Sequence, residues 1–107
     1  MSTERIRELN DAFRRTFVGG RVAVTAGVAA QPTDVQAMVL RKVATFDAFD
    51  EDNDPHGEHD FGAFELTGRR FFWKLDYYDN ELTYGSPDPS DPDVTTRVLT
   101  VMLAEEY

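Results

Sequence analysis

The chain has 107 residues, of which 41% are hydrophobic and 12% aromatic, with 20 acidic side chains, 11 basic side chains and no cysteine. This composition supports one packed domain over residues 1–107, and it excludes intrinsic disorder, a disulfide framework, a cysteine nucleophile and a cysteine zinc site. The net charge of −9 disfavours direct binding to nucleic acid or to an anionic membrane, and no apolar run is long enough to span a bilayer. The polar N-terminus lacks the apolar stretch of a secretory signal, so we expect a cytoplasmic protein.

The first half of the chain predicts two helices separated by a short strand. Apolar residues recur at helical spacing over residues 3–17, and a Gly-Gly pair then ends the helix. Residues 21–25 alternate as a short strand does. A second helix is expected from Pro32 to Phe46, with its basic residues near the C-terminal end, where they suit the helix dipole.

The second half contains the strongest strand pattern. Residues 61–66 and 69–78 flank a Thr-Gly pair, which predicts a β-hairpin. A further short strand through Leu82 and Tyr84 would complete a meander. The sequence then predicts a closing helix with Asp91 as its N-cap, although the β-branched run that follows leaves a strand as the alternative. The expected fold is α+β, with about three helices packed on a small antiparallel β-meander sheet.

Alternation along the second hairpin strand separates its residues into two faces. The aromatic and aliphatic residues Phe71, Trp73, Leu75 and Tyr77 share one face, which we interpret as core. Phe72, Lys74, Asp76 and Tyr78 share the other face. If no helix covers that face, Phe72 and Tyr78 are candidates for contact with a partner.

The acidic residues are concentrated in two segments. Residues 47–60 hold seven acids and residues 76–93 hold six, and neither segment contains a lysine or an arginine. These segments carry thirteen of the 20 acids, so the remainder of the chain has a charge of +4. The protein is therefore a mildly basic scaffold with two strongly acidic segments.

The first acidic segment also contains both histidines, and this combination suggests a metal site. Imidazole and carboxylate groups suit zinc or a first-row transition metal, and the candidate ligands are Asp54, His56, Glu58 and His59. A calcium loop beginning at Asp50 is disfavoured because Pro55 stands where the turn needs glycine. The alternative is a loop whose Asp and Asn side chains bind local backbone N–H groups and hold a turn.

The sequence assigns no catalytic residue. No serine or threonine lies in a nucleophile-elbow context, and no glycine-rich phosphate loop is present. We therefore expect a protein without enzymatic activity and without a cofactor. The alternative function is a metal-binding module or a metal-dependent hydrolase that uses the His/Asp/Glu loop of residues 50–60.

Four strings of the sequence carry a resemblance to a known family. They are EDNDPHGEHDFG at residues 51–62, WKLDYYD at 73–79, GSPDP at 85–89 and TRVLTVMLAEEY at 96–107. With these strings the chain resembles, over essentially its whole length, a domain-of-unknown-function family of small acidic bacterial proteins. The resemblance implies cytoplasmic bacterial proteins of the kind carried on mobile elements, and it supplies no catalytic residues.

The arrangement of charge predicts a binding protein. Small acidic proteins of this type resemble anti-CRISPR and antirestriction inhibitors, which present carboxylates in place of the phosphates of nucleic acid. The expected partner is a basic nucleic-acid-binding protein or complex, such as a CRISPR effector complex, which would be occluded without any enzymatic step. The candidate contact residues are Asp50, Glu51, Asp52, Asp54, Glu58, Asp76, Asp79, Glu81 and Asp88.

Overall fold

The computed structural model describes residues 2–107 and confirms the predicted α+β class. Its helices are α1 (Thr3–Thr16), α2 (Ala26–Ala29) and α3 (Thr33–Ala44). Its strands are β1 (Arg21–Val24), β2 (Phe61–Leu66), β3 (Arg69–Tyr78) and β4 (Thr96–Leu103). The short helix α2 follows β1 directly and was not predicted.

The four strands form one mixed sheet in the order β1-β4-β3-β2. Strands β2, β3 and β4 are antiparallel neighbours, whereas β1 pairs with β4 in parallel. The expectation of a purely antiparallel meander is therefore wrong for the β1 edge. A parallel neighbour needs a long crossover connection, and here the chain between β1 and β4 contains α2, α3 and the β2–β3 hairpin.

The predicted hairpin is confirmed residue for residue. The register runs from Phe61 opposite Lys74 to Leu66 opposite Arg69, which leaves a two-residue turn at Thr67 and Gly68. Both turn residues have positive φ, 54° and 76°, as a type I′ turn requires. The turn fits the right-handed twist of the strands and so fixes their register.

The predicted closing helix is wrong, because residues 96–103 form β4. Asp91 does accept a hydrogen bond from the backbone N–H of Asp93, but it caps only one 3₁₀ turn, Pro92–Val94. Beyond that turn, side chains on one face of β4 are buried at every second position from Arg97 to Leu103. The β-branched residues of this segment favour an extended backbone, and pairing with strands on both sides stabilises it.

The predicted strand through Leu82 and Tyr84 is also absent from the described residues. Only an isolated bridge between Tyr78 and Gly85 extends the pairing of β3 in this direction. Leu82 has a φ of 59°, which interrupts an extended conformation. The position beside β3 that this strand would have taken belongs to β4.

The core lies between one face of the sheet and the three helices. Phe13, Val28 and Val39, one from each helix, pack in a single buried cluster with the core-facing residues of β3 and β4. Trp73 is fully buried there, as predicted. Since the cluster draws on all three helices, the helical layer lies on this face of the sheet.

The opposite face of the sheet carries the second set of β3 side chains. Phe72 and Tyr78 are half-buried on this face, and the C-terminal Tyr107 packs edge-on against Phe72 with 5.6 Å between ring centroids. Their role in partner contact stays a prediction. None of the helices within residues 2–107 has the length and apolar character needed to cross a membrane.

Candidate functional site at the acidic end of the sheet

The two acidic segments lie at the same end of the sheet. Residues 47–60 lead into β2 at Phe61, which pairs with Lys74 near the end of β3. Residues 76–93 include the end of β3 and most of the connection to β4, whose first residue Thr96 pairs with Tyr78. We call these two segments together the acidic end.

The nine candidate contact residues differ in exposure. Four of them are exposed to solvent: Asp50, Glu51, Asp52 and Glu81. Four are half-buried: Glu58, Asp76, Asp79 and Asp88. Asp54 is buried, at 8% exposure, so it is the candidate least able to meet a partner directly.

Several of these carboxylates accept hydrogen bonds from nearby backbone N–H groups and so hold turns. This is the arrangement that we gave for the first loop as the alternative to a metal site. Asp50 Oδ1 accepts hydrogen bonds of 2.9 Å from the backbone N–H groups of Asp52 and Asn53. Asp88 accepts from the hydroxyl and the backbone N–H of Ser90, and these bonds lower the pKa of its carboxyl. Such bonds favour the ionised form, so turn formation and negative charge are compatible.

A buried hydrogen-bonded network joins the two segments through α1. Asn10 is fully buried, and its Nδ2 donates to the backbone carbonyl of Glu58 at 2.9 Å and to Tyr77 Oη at 2.8 Å. Tyr77 Oη in turn donates to Glu58 Oε1 at 2.8 Å. Arg97 Nε donates to Asn10 Oδ1 at 2.7 Å, and the same guanidinium group reaches the carbonyl of Pro89 in the second segment.

The Tyr77 hydroxyl and the Arg97 guanidinium group both act as hydrogen-bond donors in this network. Desolvation raises the pKa of the Tyr77 hydroxyl far above its usual value, so Tyr77 remains a hydrogen-bond donor to the Glu58 carboxylate. Burial lowers the pKa of Arg97, but a guanidinium group remains charged in proteins. The network therefore places one buried positive charge beneath the exposed carboxylates.

A second cluster fixes His59 against α1. His59 Nδ1 lies 2.9 Å from Asp11 Oδ1, and its ring stacks on Phe49 with 3.8 Å between centroids. Its Nε2 lies 3.7 Å from Asp54 Oδ2. Asp11 also pairs with Arg14 at 3.1 Å, so one carboxylate on α1 contacts both an imidazole and a guanidinium group.

The proposed metal ligands are only partly brought together. Asp54 and His59 are neighbours, but the Glu58 carboxylate accepts a hydrogen bond from Tyr77, and His56 is exposed. Within residues 2–107, no group of three or more His, Asp or Glu side chains is placed to hold a metal ion. The metal hypothesis stays a prediction, which metal analysis of the purified protein would test.

The sequence interpretation missed the side chains that anchor this end. Asn10 and Arg14 lie on the buried face of α1, and Arg97 lies on the core face of β4. A signal was present, because Asn10 and Arg14 fall on the same helical stripe as Ile6, Phe13 and Phe17. A polar residue on an apolar stripe needs a buried partner, which indicates a polar network.

The fold and this site define a small α+β protein whose acidic loops are anchored to its core by buried arginine and asparagine side chains. Residues 24–106 match the model of the family described as Protein of unknown function (DUF3768), so the chain belongs to that family. The match includes β2, β3, β4 and both acidic segments, whereas α1 precedes it. No curated protein and no solved structure matches the chain.

Proposed function

We propose that this is a non-enzymatic binding protein whose acidic end docks on the basic nucleic-acid-binding surface of a larger protein. The observation that carries the proposal is the position of both acidic segments at one end of the sheet. A CRISPR effector complex or a restriction complex would be a partner of this kind. Occupation of its groove would exclude the nucleic acid without any chemical step.

Of the nine candidate contact residues, Asp76 pairs with Lys74 at 3.0 Å, but the buried arginines form no ion pair with the exposed acids of the acidic end. Arg14 and Arg97 are 1% and 3% exposed, and they bind chiefly backbone carbonyls, Asp11 and Asn10. The exposed carboxylates of Glu51, Asp52 and Glu81 form no ion pair within residues 2–107. They are therefore available to the lysine and arginine side chains of a partner.

The loops at this end are organised before any partner binds. Asp50 and Asp79 accept backbone hydrogen bonds within their own turns, while Asn10 and Arg97 tie the two segments to the core. Side chains and loops that are already ordered lose less conformational entropy on association. A fixed array of negative charge also accelerates encounter with a cationic groove, and this acceleration is weakened by salt.

Two triple variants with the same change in net charge test the proposal. The first replaces exposed acids of the acidic end: Glu51→Gln, Asp52→Asn and Glu81→Gln. The control replaces exposed acids outside both segments that likewise form no ion pair within residues 2–107: Glu4→Gln, Asp34→Asn and Glu65→Gln. Each variant removes three negative charges from the net −9, so a difference between them reports position and not total charge.

The tagged wild-type protein and both variants are used to capture proteins from a bacterial lysate at low and at high salt, and each captured protein is then purified and tested alone. We expect a nucleic-acid-binding protein that binds the wild type and the control at low salt, and that binds the acidic-end variant at least about tenfold more weakly. Equal binding by all three proteins would contradict the proposal. So would the capture of no partner at low salt.

A further inference from the structure

Strand β1 is an open edge of the sheet with apolar side chains beside it. It is the outermost strand, and all four of its residues, Arg21–Val24, are exposed. Val22 and Val24 are 40% and 42% exposed, which is unusual for valine in a sheet. An edge strand of this kind presents unpaired backbone groups to which another strand can add.

The direction of the backbone groups of β1 follows from its pairing with β4. The N–H of Thr25 donates to the carbonyl of Val101 on β4, at 3.0 Å. Since the N–H and C=O groups of a strand alternate in direction from one residue to the next, those of Ala23 also face β4. The N–H and C=O groups of Val22 and Val24 therefore point away from the sheet, toward the open edge.

The side chains of these two valines lie on the helical face of the sheet. Val22 pairs with Leu99 and Val24 with Val101, and both partners on β4 are fully buried in the core. Residues directly opposite each other in a sheet share a face. The open edge therefore combines outward hydrogen-bonding groups and apolar side chains at the same two residues.

We propose that a second copy of this chain pairs with β1, in antiparallel orientation about a two-fold axis at Ala23. In this register Val22 of each copy lies opposite Val24 of the other, and each pair exchanges two backbone hydrogen bonds. Valine then meets valine on the helical face across the axis. The result is a continuous sheet of eight strands from two four-stranded sheets.

The distribution of charge favours a second copy at this edge. Residues 17–33 contain no acid and a single base, Arg21, although the whole chain has a charge of −9. Arg21 pairs with Val98 near the start of β4, so the beginning of β1 points toward the acidic end. Antiparallel pairing sends the two acidic ends in opposite directions, so two −9 chains repel each other less than they would with those ends side by side.

This dimer and the proposed partner complex respond to salt in opposite ways. Screening reduces the repulsion between two copies of like charge, so higher salt strengthens the dimer. The same screening weakens binding of the acidic end to a basic groove. The dimer does not require the proposed function, and failure of one leaves the other standing.

Sedimentation velocity of the purified chain, from micromolar to millimolar concentration and at low and high NaCl, tests the proposal. We expect a species of twice the 12.1 kDa chain mass that becomes more populated as salt rises. Two single variants, Val22→Lys and Val24→Lys, each place a charge at the edge of β1, and each should abolish the dimer. Leu82→Lys, at an apolar residue of similar exposure (38%) in the acidic end, is the matched control and retains it.

Amide hydrogen exchange of the wild type gives a test that does not depend on a variant's folding. In the dimer, the amides of Val22 and Val24 are protected at high concentration and lose protection on dilution, whereas Ala23 and Thr25 stay protected throughout. A monomer at millimolar concentration and high salt would overturn the proposal. Exchange at Val22 and Val24 that does not change with concentration would overturn it too, and would leave the edge free for an extended segment of another protein.

Discussion

The two acidic segments are held in place by different means. The first, residues 47–60, is tied to the core by side chains from α1: Arg7 donates to the carbonyl of Gly57, Asn10 donates to that of Glu58, and Asp11 contacts His59. The second, residues 76–93, is held largely by hydrogen bonds within its own turns and to the start of β4, and two of its carboxylates take part. Asp79 accepts from the backbone N–H groups of Thr83 and Tyr84, and Asp88 accepts from Ser90.

One negative surface is therefore built from two kinds of loop. The first segment depends on α1 and loses its position when the helix changes. The second depends chiefly on turns whose residues are near one another in sequence. It joins the core network through Tyr77, which bonds Asn10 and Glu58, and through the contact of Arg97 with Pro89. Substitutions that act on one segment and spare the other therefore test the comparison.

We expect the greatest loss of stability in Arg14→Leu, which removes the side chain that holds the end of α3 and the chain leading into the first segment against α1. Arg14 Nη1 donates to the carbonyls of Val43 and Phe46 at 2.8 and 2.9 Å, and its guanidinium group pairs with Asp11. We expect a loss of about 3 kcal/mol in the free energy of unfolding, because buried acceptors and one carboxylate lose their partner. Urea unfolding measures this loss.

Arg15→Leu is the matched control. It makes the same substitution at the next residue, which is exposed. It should alter the free energy of unfolding by no more than about 0.5 kcal/mol. Equal losses in the two variants would contradict the anchoring role of Arg14.

Asn10→Ala is expected to cost about 2 kcal/mol, because the Glu58 carbonyl, Tyr77 Oη and Arg97 Nε, which are buried or partly buried, each lose a partner. Tyr77→Phe removes the bond to Asn10 and the bond to the Glu58 carboxylate, and should cost about 1 kcal/mol. The two losses should not add in the double variant, since Asn10 and Tyr77 bond each other at 2.8 Å. Additive losses in a double-mutant cycle measured by urea unfolding would show that the two side chains do not act as one network.

Asp79→Ala tests the second segment alone. Its carboxylate accepts hydrogen bonds from two backbone N–H groups, so we expect a loss of about 1 kcal/mol. Hydrogen exchange should become faster in residues 76–93 and remain unchanged in residues 47–60. Glu81→Ala removes an exposed acid from the same turn and serves as the control, with no change in exchange.

The smallest effect is a gain of stability in Asp60→Asn. Burial, and then the charge of Glu58, raise the pKa of Asp60 in the folded protein above its usual 3.8. An ionised Asp60 therefore destabilises the folded state at neutral pH, and the variant should be more stable there by less than about 1 kcal/mol.

This gain in stability should disappear as the pH falls below 3.8. Asp60 is then protonated in both the folded and the unfolded protein, so it is neutral like the asparagine of the variant. Thermal unfolding at pH 7 and at pH 3 measures the change, and the exposed Asp52→Asn is the control. A variant that is less stable than the wild type at pH 7 would contradict the sign.

The parts of the fold that were predicted correctly depend on local patterns. The β2–β3 hairpin combines strict alternation with a two-residue turn whose φ angles are both positive, so its register is fixed within the segment itself. The capping of a turn by Asp91 was also correct. The error lay in extending that turn into a helix, because the β-branched run after Val94 pairs with two strands that are distant in sequence.

Of the candidate site, only the two acidic segments could be predicted from the sequence, and the buried side chains that hold them could not. The abundance of acids in residues 47–60 and 76–93 is visible in the sequence, but their position at one end of the sheet follows from strand pairing. Asn10 lies 48 residues before Glu58 and 87 residues before Arg97. Contacts at such separations are set by tertiary packing, so no local pattern specifies them.

Competition with DNA shows whether the acidic end occupies the nucleic-acid-binding surface of a partner. A partner captured by the acidic end is bound to fluorescent duplex DNA, and the anisotropy is followed as wild-type protein is added. We expect the wild type and the control triple variant to release the DNA, and the triple variant Glu51→Gln, Asp52→Asn and Glu81→Gln to leave it bound. DNA that stays bound while the wild-type protein binds the same partner would contradict the claim that the acidic end occupies the nucleic-acid-binding surface.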